Sequence, residues 1–162
     1  MTRLILVFIF LQLNWLGLSA QTPEKDSVEI EVKQLIDQGG SLIKRRQLDS
    51  AVVLLKYTLD YTERELGEDH LLAGVIAHTL GYVHMVQEQQ DEAQSYYLEA
   101  LRIRRINYSP PNAELALTLN GLGVTYENEG NFTLAESHYI EARTNWEGAY
   151  GRDHYRCSWA QY

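Results

Sequence analysis

The chain has 162 residues, of which 45% are hydrophobic, so it is long enough to form one domain with a substantial core. Its 22 Asp and Glu residues outnumber its 14 Lys and Arg residues, which gives a formal net charge of −8. Because nucleic-acid binding depends on cations that neutralise phosphates, this charge argues against a nucleic-acid partner, and the single cysteine, Cys157, excludes an internal disulfide.

The first twenty residues have the order that is typical of a secretory signal peptide. Arg3 is the only charged residue before an apolar run over residues 4–18, and the run ends in the small residues Ser19 and Ala20. We predict cleavage after Ala20, export to the periplasm or beyond the cell, and no membrane insertion of the mature chain. A retained anchor is the alternative, but the run is shorter than the ~20 residues that a membrane span needs. Residues 21–27 are predicted to form a flexible leader.

A series of apolar residues then predicts a first amphipathic helix over residues 26–45. Its apolar stripe consists of Ile30, Leu35, Ile36, Leu42 and Ile43. Gly39 and Gly40 weaken this helix by roughly 1 kcal/mol each relative to alanine. We expect close packing against a partner helix to compensate.

A repeat of 42 residues organises the rest of the chain. Gly123, Ala135, Tyr139 and Ala142 are preceded, 42 residues earlier, by Gly81, Ala93, Tyr97 and Ala100. A further step back reaches Gly39, Ala51 and Leu55, with Thr58 in place of the last alanine. A fixed period of this length predicts helix pairs stacked in a solenoid, in which each unit buries its apolar face against its neighbours.

The second helix of each pair is predicted to begin at a capping residue. The candidates occupy equivalent positions and are Asp49, Asp91 and Thr133. Gln94 and Glu136, three residues further on, would complete a capping box in two of the units. Two basic stretches, residues 44–46 and 102–105, are interpreted as solvated helix ends whose cations oppose the negative pole of the helix.

No stretch of the sequence predicts catalysis, a cofactor or a metal site. No pair of histidines has the spacing of zinc ligands, and no glycine-rich run precedes a Lys-Ser or Lys-Thr pair that could bind phosphate. A nucleophile needs a base and an orienting group beside it, and the sequence nominates none. We therefore predict a protein that is not an enzyme.

The spacing of small and aromatic residues resembles the tetratricopeptide repeat. The 42-residue period and the Gly-x-Asp-His linkers at 67–70 and 151–154 are similar to the kinesin-light-chain variety of that repeat, as it occurs in exported bacterial proteins. The resemblance covers residues 28–157. It implies an all-α, right-handed superhelical solenoid of about three antiparallel helix pairs, followed by the start of an incomplete further repeat at 158–162.

The resemblance also implies a concave groove, lined by the first helix of each pair, that holds a protein or peptide ligand. The family's groove positions fall on His78, Tyr82, Met85 and Val86 in the second unit, and on Asn120, Val124, Glu127 and Asn128 in the third. Asn120 matches the asparagine that meets the backbone of a bound peptide, a contact that suits an amide because it both donates and accepts. A polar residue facing solvent is the alternative interpretation of Asn120.

Three functions are compatible with this resemblance. The first is a non-catalytic scaffold that binds a protein or peptide in the groove. The second is a sensor or regulatory segment of a larger exported protein, such as a CHAT peptidase or a signalling protein, whose effector domain lies outside this chain. The third is a structural array that self-associates through an open C-terminal end near Trp159.

Overall fold

The computed structural model describes residues 23–152, and this part of the chain is all-α. Its six helices are α1 Pro23–Lys44, α2 Leu48–Leu66, α3 Leu71–Val86, α4 Gln90–Asn107, α5 Ala113–Asn128 and α6 Phe132–Tyr150. They pack as three antiparallel pairs, α1–α2, α3–α4 and α5–α6, which we call the first, second and third units. The predicted all-α solenoid is confirmed. Within residues 23–152, no helix is both long enough and apolar enough to span a membrane.

The first helix begins earlier than predicted. It starts at Pro23, so residues 23–27, which were assigned to a flexible leader, are helical. Proline suits the first turn of a helix because the N–H that it lacks would have no partner there. The predicted signal peptide at 1–20 and the incomplete repeat at 158–162 lie outside the described residues.

The two helices of each unit are joined by the same left-handed turn. Its positive-φ residues lie 42 apart and are Arg46 (60°), Glu88 (61°) and Gly130 (79°). The N–H of the following residue donates to a carbonyl five residues earlier, as Gln47 does to Leu42 at 3.0 Å. This bond closes the end of the first helix, and the second helix starts directly afterwards.

The predicted caps are wrong, because each second helix begins directly after this short turn and therefore earlier than predicted. The residues that precede α2, α4 and α6 are Gln47, Gln89 and Asn131, two positions before the predicted Asp49, Asp91 and Thr133. Only Asn131 among them caps with its side chain, which accepts from the Leu134 N–H at 3.3 Å. Asp49 and Asp91 lie inside the first turn, where their carboxylates face the positive pole of the helix. The capping boxes with Gln94 and Glu136 are wrong for the same reason.

Within each unit, a glycine of the first helix receives a large side chain of the second. A Cβ added at Gly81 would lie 2.9 Å from the Tyr97 ring, and one at Gly123 would lie 2.5 Å from the Tyr139 ring. At Gly39 the corresponding distance to Leu55 is 2.8 Å, which confirms the predicted close packing at this residue. Each hairpin is thus closed by a contact that only glycine permits.

The array curves toward its first helices. α1 contacts α3 and α3 contacts α5, whereas the successive second helices make no comparable backbone approach within residues 23–152. Helices that approach more closely on one side of a stack lie on its inner side. The side of α1, α3 and α5 that points away from their partner helices is therefore the inner face.

The first helix makes its side of the outer end of the first unit polar. Gln34, Gln38 and Ser41 of α1 are exposed. The equivalent residues of α3, Ile76, Leu80 and Val83, are fully buried against the first unit. A polar outer surface is typical of a terminal unit in a solenoid, which accounts for glutamine at position 38, where the later units have leucine.

Candidate peptide-binding groove

Four equivalent positions on each first helix define the surface of the inner face. They are Lys33, Asp37, Gly40 and Lys44 on α1; Val75, Thr79, Tyr82 and Val86 on α3; and Leu117, Gly121, Val124 and Asn128 on α5, of which Gly121 is buried against the Tyr97 ring. Spacings of four, three and four residues keep each set on one side of its helix. The inner face is therefore charged in the first unit and mostly apolar in the second and third.

The most accessible apolar side chains of the inner face belong to α3. Tyr82 is 44% exposed and Val86 is 40% exposed, and they lie four residues apart, so they adjoin on the helix surface. On α5, Leu117 and Val124 are half-buried and pack against the core of the third unit. The apolar surface that a ligand could cover therefore centres on Tyr82 and Val86 and extends toward α5.

Several of the predicted groove residues are engaged in contacts within the chain. His78 is half-buried, with its ring edge toward Tyr97 at a centroid distance of 5.3 Å. Met85 is half-buried and packs against the core of the third unit. Glu127 accepts a hydrogen bond of 2.6 Å from the Tyr139 hydroxyl, which fixes α5 to α6.

The remaining predicted residues differ in exposure along the groove. Asn120 is half-buried, at the position equivalent to His78, and Asn128 is exposed at the end of α5. The predicted groove residues that are most exposed to a ligand are Tyr82, Val86 and Asn128. The structure thus places Tyr82, Val86, Val124 and Asn128 on the inner face, and it places His78, Met85 and Glu127 in contacts with neighbouring helices.

Arg104 lies beneath this face, and the sequence interpretation of it is wrong. It was expected at a solvated helix end, but it is only 3% exposed. Its guanidinium donates to the carbonyl of Glu114 at 2.7 Å, to the hydroxyl of Thr118, and to the Glu114 carboxylate at 3.0 Å. The equivalent residues of the other two units, Thr62 and Trp146, are both buried. The position of Arg104 in the repeat was therefore the sequence signal for its burial.

The environment of His78 keeps the centre of the groove uncharged. Burial and the nearby positive charge of Arg104 lower the pKa of His78 to about 3. The ring is therefore neutral at physiological pH. Since α3 has no Asp, Glu, Lys or Arg, the inner face of the second unit carries no formal charge.

The other arginines of the 102–105 stretch lie at the surface and are paired. Arg102 bonds to Asp69 at 2.6 Å and to Glu99 at 2.7 Å, and these hydrogen bonds raise its pKa. Arg105 of α4 pairs with Glu141 of α6 at 2.7 Å. These ion pairs connect the units along the outer side of the array and leave the inner face free.

A cleft of about 770 Å³ adjoins the inner face between α1 and the linker at 67–70. Glu29 is the centre of its contacts between charged groups. Glu29 accepts from Lys33 at 3.0 Å and lies 3.4 Å from His70 Nε2. The hydrogen bond from Lys33 is the main reason why the pKa of Glu29 is lowered. Among residues 23–152, no group of three or more His, Cys, Asp and Glu side chains is placed to hold a metal ion.

Comparison with protein families accounts for the repeat. A family model described as the tetratricopeptide repeat matches residues 75–112 and 115–156, in register with the second and third units. The chain is a tetratricopeptide repeat protein. Its repeats are of the kinesin-light-chain-like kind, as their length predicted. Such repeats generally serve as non-catalytic scaffolds for protein interaction.

The fold of this tetratricopeptide repeat protein also occurs in a solved structure. The crystal structure of BtubC (BKLC) from P. vanneervenii is similar to it with a TM-score of 0.71 and 22% sequence identity. The similarity covers 88% of this chain and 56% of that one, so this chain spans little more than half the length of BtubC. At this identity the likeness shows a shared fold. A search of curated proteins gives no match.

Proposed function

We propose that this tetratricopeptide repeat protein is a non-catalytic scaffold that binds an extended peptide or protein segment on its inner face, across α3 and α5. The observation that carries the proposal is the aligned apolar surface of the second and third units. At the same positions α1 has Lys33, Asp37, Gly40 and Lys44. Exposed apolar side chains in a concave surface favour a ligand that can cover them.

The chemistry of the inner face favours a ligand with apolar side chains. Tyr82 offers an aromatic ring and Val86 an aliphatic surface, and neither needs a charged partner. α3 and α5 contain no Lys or Arg, so these helices supply no cation for a terminal carboxylate. An amide at Asn120 suits the backbone of an extended segment, because the backbone also offers both a donor and an acceptor.

Selection from a random-peptide phage library on the purified protein tests this proposal. We expect the recovered peptides to be rich in apolar residues. We also expect their binding to fall at least tenfold, or about 1.4 kcal/mol, in the double variant Tyr82→Ala/Val86→Lys, because truncation at the centre of a binding surface removes most of its contacts. Isothermal titration calorimetry with a selected peptide measures the change.

The matched control is Leu98→Lys on α4, because Leu98 is also 44% exposed but lies on a second helix. This variant should bind the selected peptides as the wild type does. Equal binding by the wild type and Tyr82→Ala/Val86→Lys, or a loss confined to Leu98→Lys, would rule out the inner face as the site.

Export of the protein, and its membership in a larger exported protein with an effector domain, stay predictions. Both depend on sequence outside residues 23–152. The proposal for the inner face does not require either.

A further inference from the structure

An exposed apolar patch lies on α2, away from the inner face. Val53 is 71% exposed and Tyr57 is 59% exposed. With half-buried Leu54 they form what we call the α2 patch. The patch lines a shallow depression of about 580 Å³, together with Asp49 and Ser50.

The other two units show that the fold does not require apolar residues here. The positions equivalent to Val53 are Ser95 and Ser137, and those equivalent to Tyr57 are Glu99 and Glu141. All three second helices fold in the same way, and only the first exposes a valine and a tyrosine at these positions. The α2 patch is therefore a feature of the first unit rather than of the repeat.

The later units also show which way the α2 patch faces. Glu141, the equivalent of Tyr57, pairs with Arg105 of the preceding second helix at 2.7 Å. Tyr96, the equivalent of Leu54, has the ammonium group of Lys56 on the preceding second helix 5.8 Å from its ring centroid. Ser95 and Ser137, the equivalents of Val53, stay exposed in the later units, so Tyr57 and Leu54 mark the side of the patch that stacks against a helix there. Among the described residues, no helix covers it in the first.

The surroundings of the α2 patch suit contact with an identical surface. Beside it, Asp60 lies 3.6 Å from Arg64, and the Tyr61 hydroxyl donates to Glu31 at 2.9 Å, so both carboxylates already have a partner within the chain. The adjoining end of α1 exposes the glutamines 34 and 38. Amides both donate and accept, so such a rim can pair with a copy of itself.

We propose that the α2 patch is an isologous interface between two copies of this chain, with Val53 and Tyr57 of each copy at its centre. A two-fold contact needs one self-complementary surface, and this one continues the surface through which the units already stack. In a chain with a net charge of −8, a contact centred on the uncharged side chains of Val53 and Tyr57 places no formal charges directly opposite each other. The dimer would keep both inner faces open and would present two grooves to one partner, which raises avidity.

Sedimentation equilibrium of the purified protein over a range of concentrations tests the dimer. We expect the wild type to dimerise reversibly. The variant Val53→Ser/Tyr57→Glu should raise the dimer dissociation constant at least tenfold, because it removes the apolar centre and brings two carboxylates together. Both new residues already occur at the equivalent positions of α4 and α6, so the helical circular dichroism signal should not change.

The control is Ile106→Arg, which replaces an apolar side chain that is 56% exposed on α4 by the residue that the first unit has there, Arg64. This variant should dimerise as the wild type does. A wild type that is monomeric at every concentration would overturn the proposal. So would a dimer that Val53→Ser/Tyr57→Glu leaves intact, which would place association elsewhere, such as at the C-terminal end.

Discussion

Arg104 and His78 are neighbouring polar residues at the junction of the second and third units. The guanidinium loses its water on burial, and the hydrogen bonds to Glu114 and Thr118 replace it. The Thr118 hydroxyl also lies 3.5 Å from His78 Nδ1. The residues beneath the groove therefore connect α3, α4 and α5, and they do so with His78 neutral.

This arrangement makes stability depend on pH. The pKa of His78 is about 3 in the folded protein and 6.5 for an ordinary histidine. Between these values the unfolded chain binds more protons, so the free energy of unfolding falls as the pH drops below about 6.5. We expect His78→Asn to lack this pH-dependent contribution to stability. Asparagine is the residue that the third unit has at the equivalent position. The difference in the free energy of unfolding between the wild type and His78→Asn should change by on the order of a few kcal/mol as the pH falls toward 3.

Urea unfolding of both proteins at a series of pH values measures that difference in the free energy of unfolding. Arg104→Met serves as a second variant, since removing the positive charge should raise the pKa of His78, while burial keeps it below 6.5. Histidine NMR titration reports this pKa directly. Parallel stability profiles for the wild type and His78→Asn would contradict the assignment.

At the scale of helices, two contacts of the second unit recur 42 residues later in the third. One is the glycine contact of Gly81 with Tyr97 and of Gly123 with Tyr139. The other is a stacked pair of a histidine ring and a tyrosine ring. The first helix supplies the histidine in the second unit and the tyrosine in the third. His84 stacks on Tyr96 in the second unit and Tyr126 on His138 in the third, each with centroids 5.4 Å apart. The same contact is thus made with either order of residues.

The glycines give a prediction with an internal control. In Gly123→Ala the new methyl group would meet the Tyr139 ring, and overpacking of this kind costs about 1–3 kcal/mol. In Gly40→Ala nothing lies within 4 Å of the new Cβ, so we expect the protein to gain about 0.5–1 kcal/mol from helix propensity. Urea unfolding at neutral pH measures both. A stabilised Gly123→Ala, or a strongly destabilised Gly40→Ala, would show that the hairpins are packed differently.

The same helices show how much of the fold and of the site the sequence could predict. The period and the small residues were sufficient to predict the helix pairs, because glycine and alanine at fixed spacing report directly on helix contact. The caps at Asp49 and Asp91 were wrong because a turn with a positive φ at Arg46 or Glu88 leaves no sequence signal like that of glycine. The third turn does have a glycine, Gly130, and the cap there is Asn131, which follows it directly. Exposure within the groove could not be predicted either, since the partners of His78 and Glu127 come from other helices.

For the whole molecule, two surfaces differ from the acidic remainder. The inner face of α3 and α5 is apolar and concave, and the α2 patch is apolar and lies at the outer end of the first unit. Because they are on different sides of the array, occupation of one does not block the other. The proposed scaffold therefore has a groove for a partner and a separate contact for a second copy.

Methyl NMR of the protein with a library-selected peptide tests the groove most directly. We expect shift changes at the inner-face methyl groups of Val75, Val86, Leu117 and Val124. The exposed methyl groups of the second helices, Val53, Leu98, Ile106 and Ile140, should stay unperturbed. Changes confined to the inner-face set would support binding across α3 and α5. Changes confined to the second helices would contradict it, because the ligand would then lie on the outer side of the array.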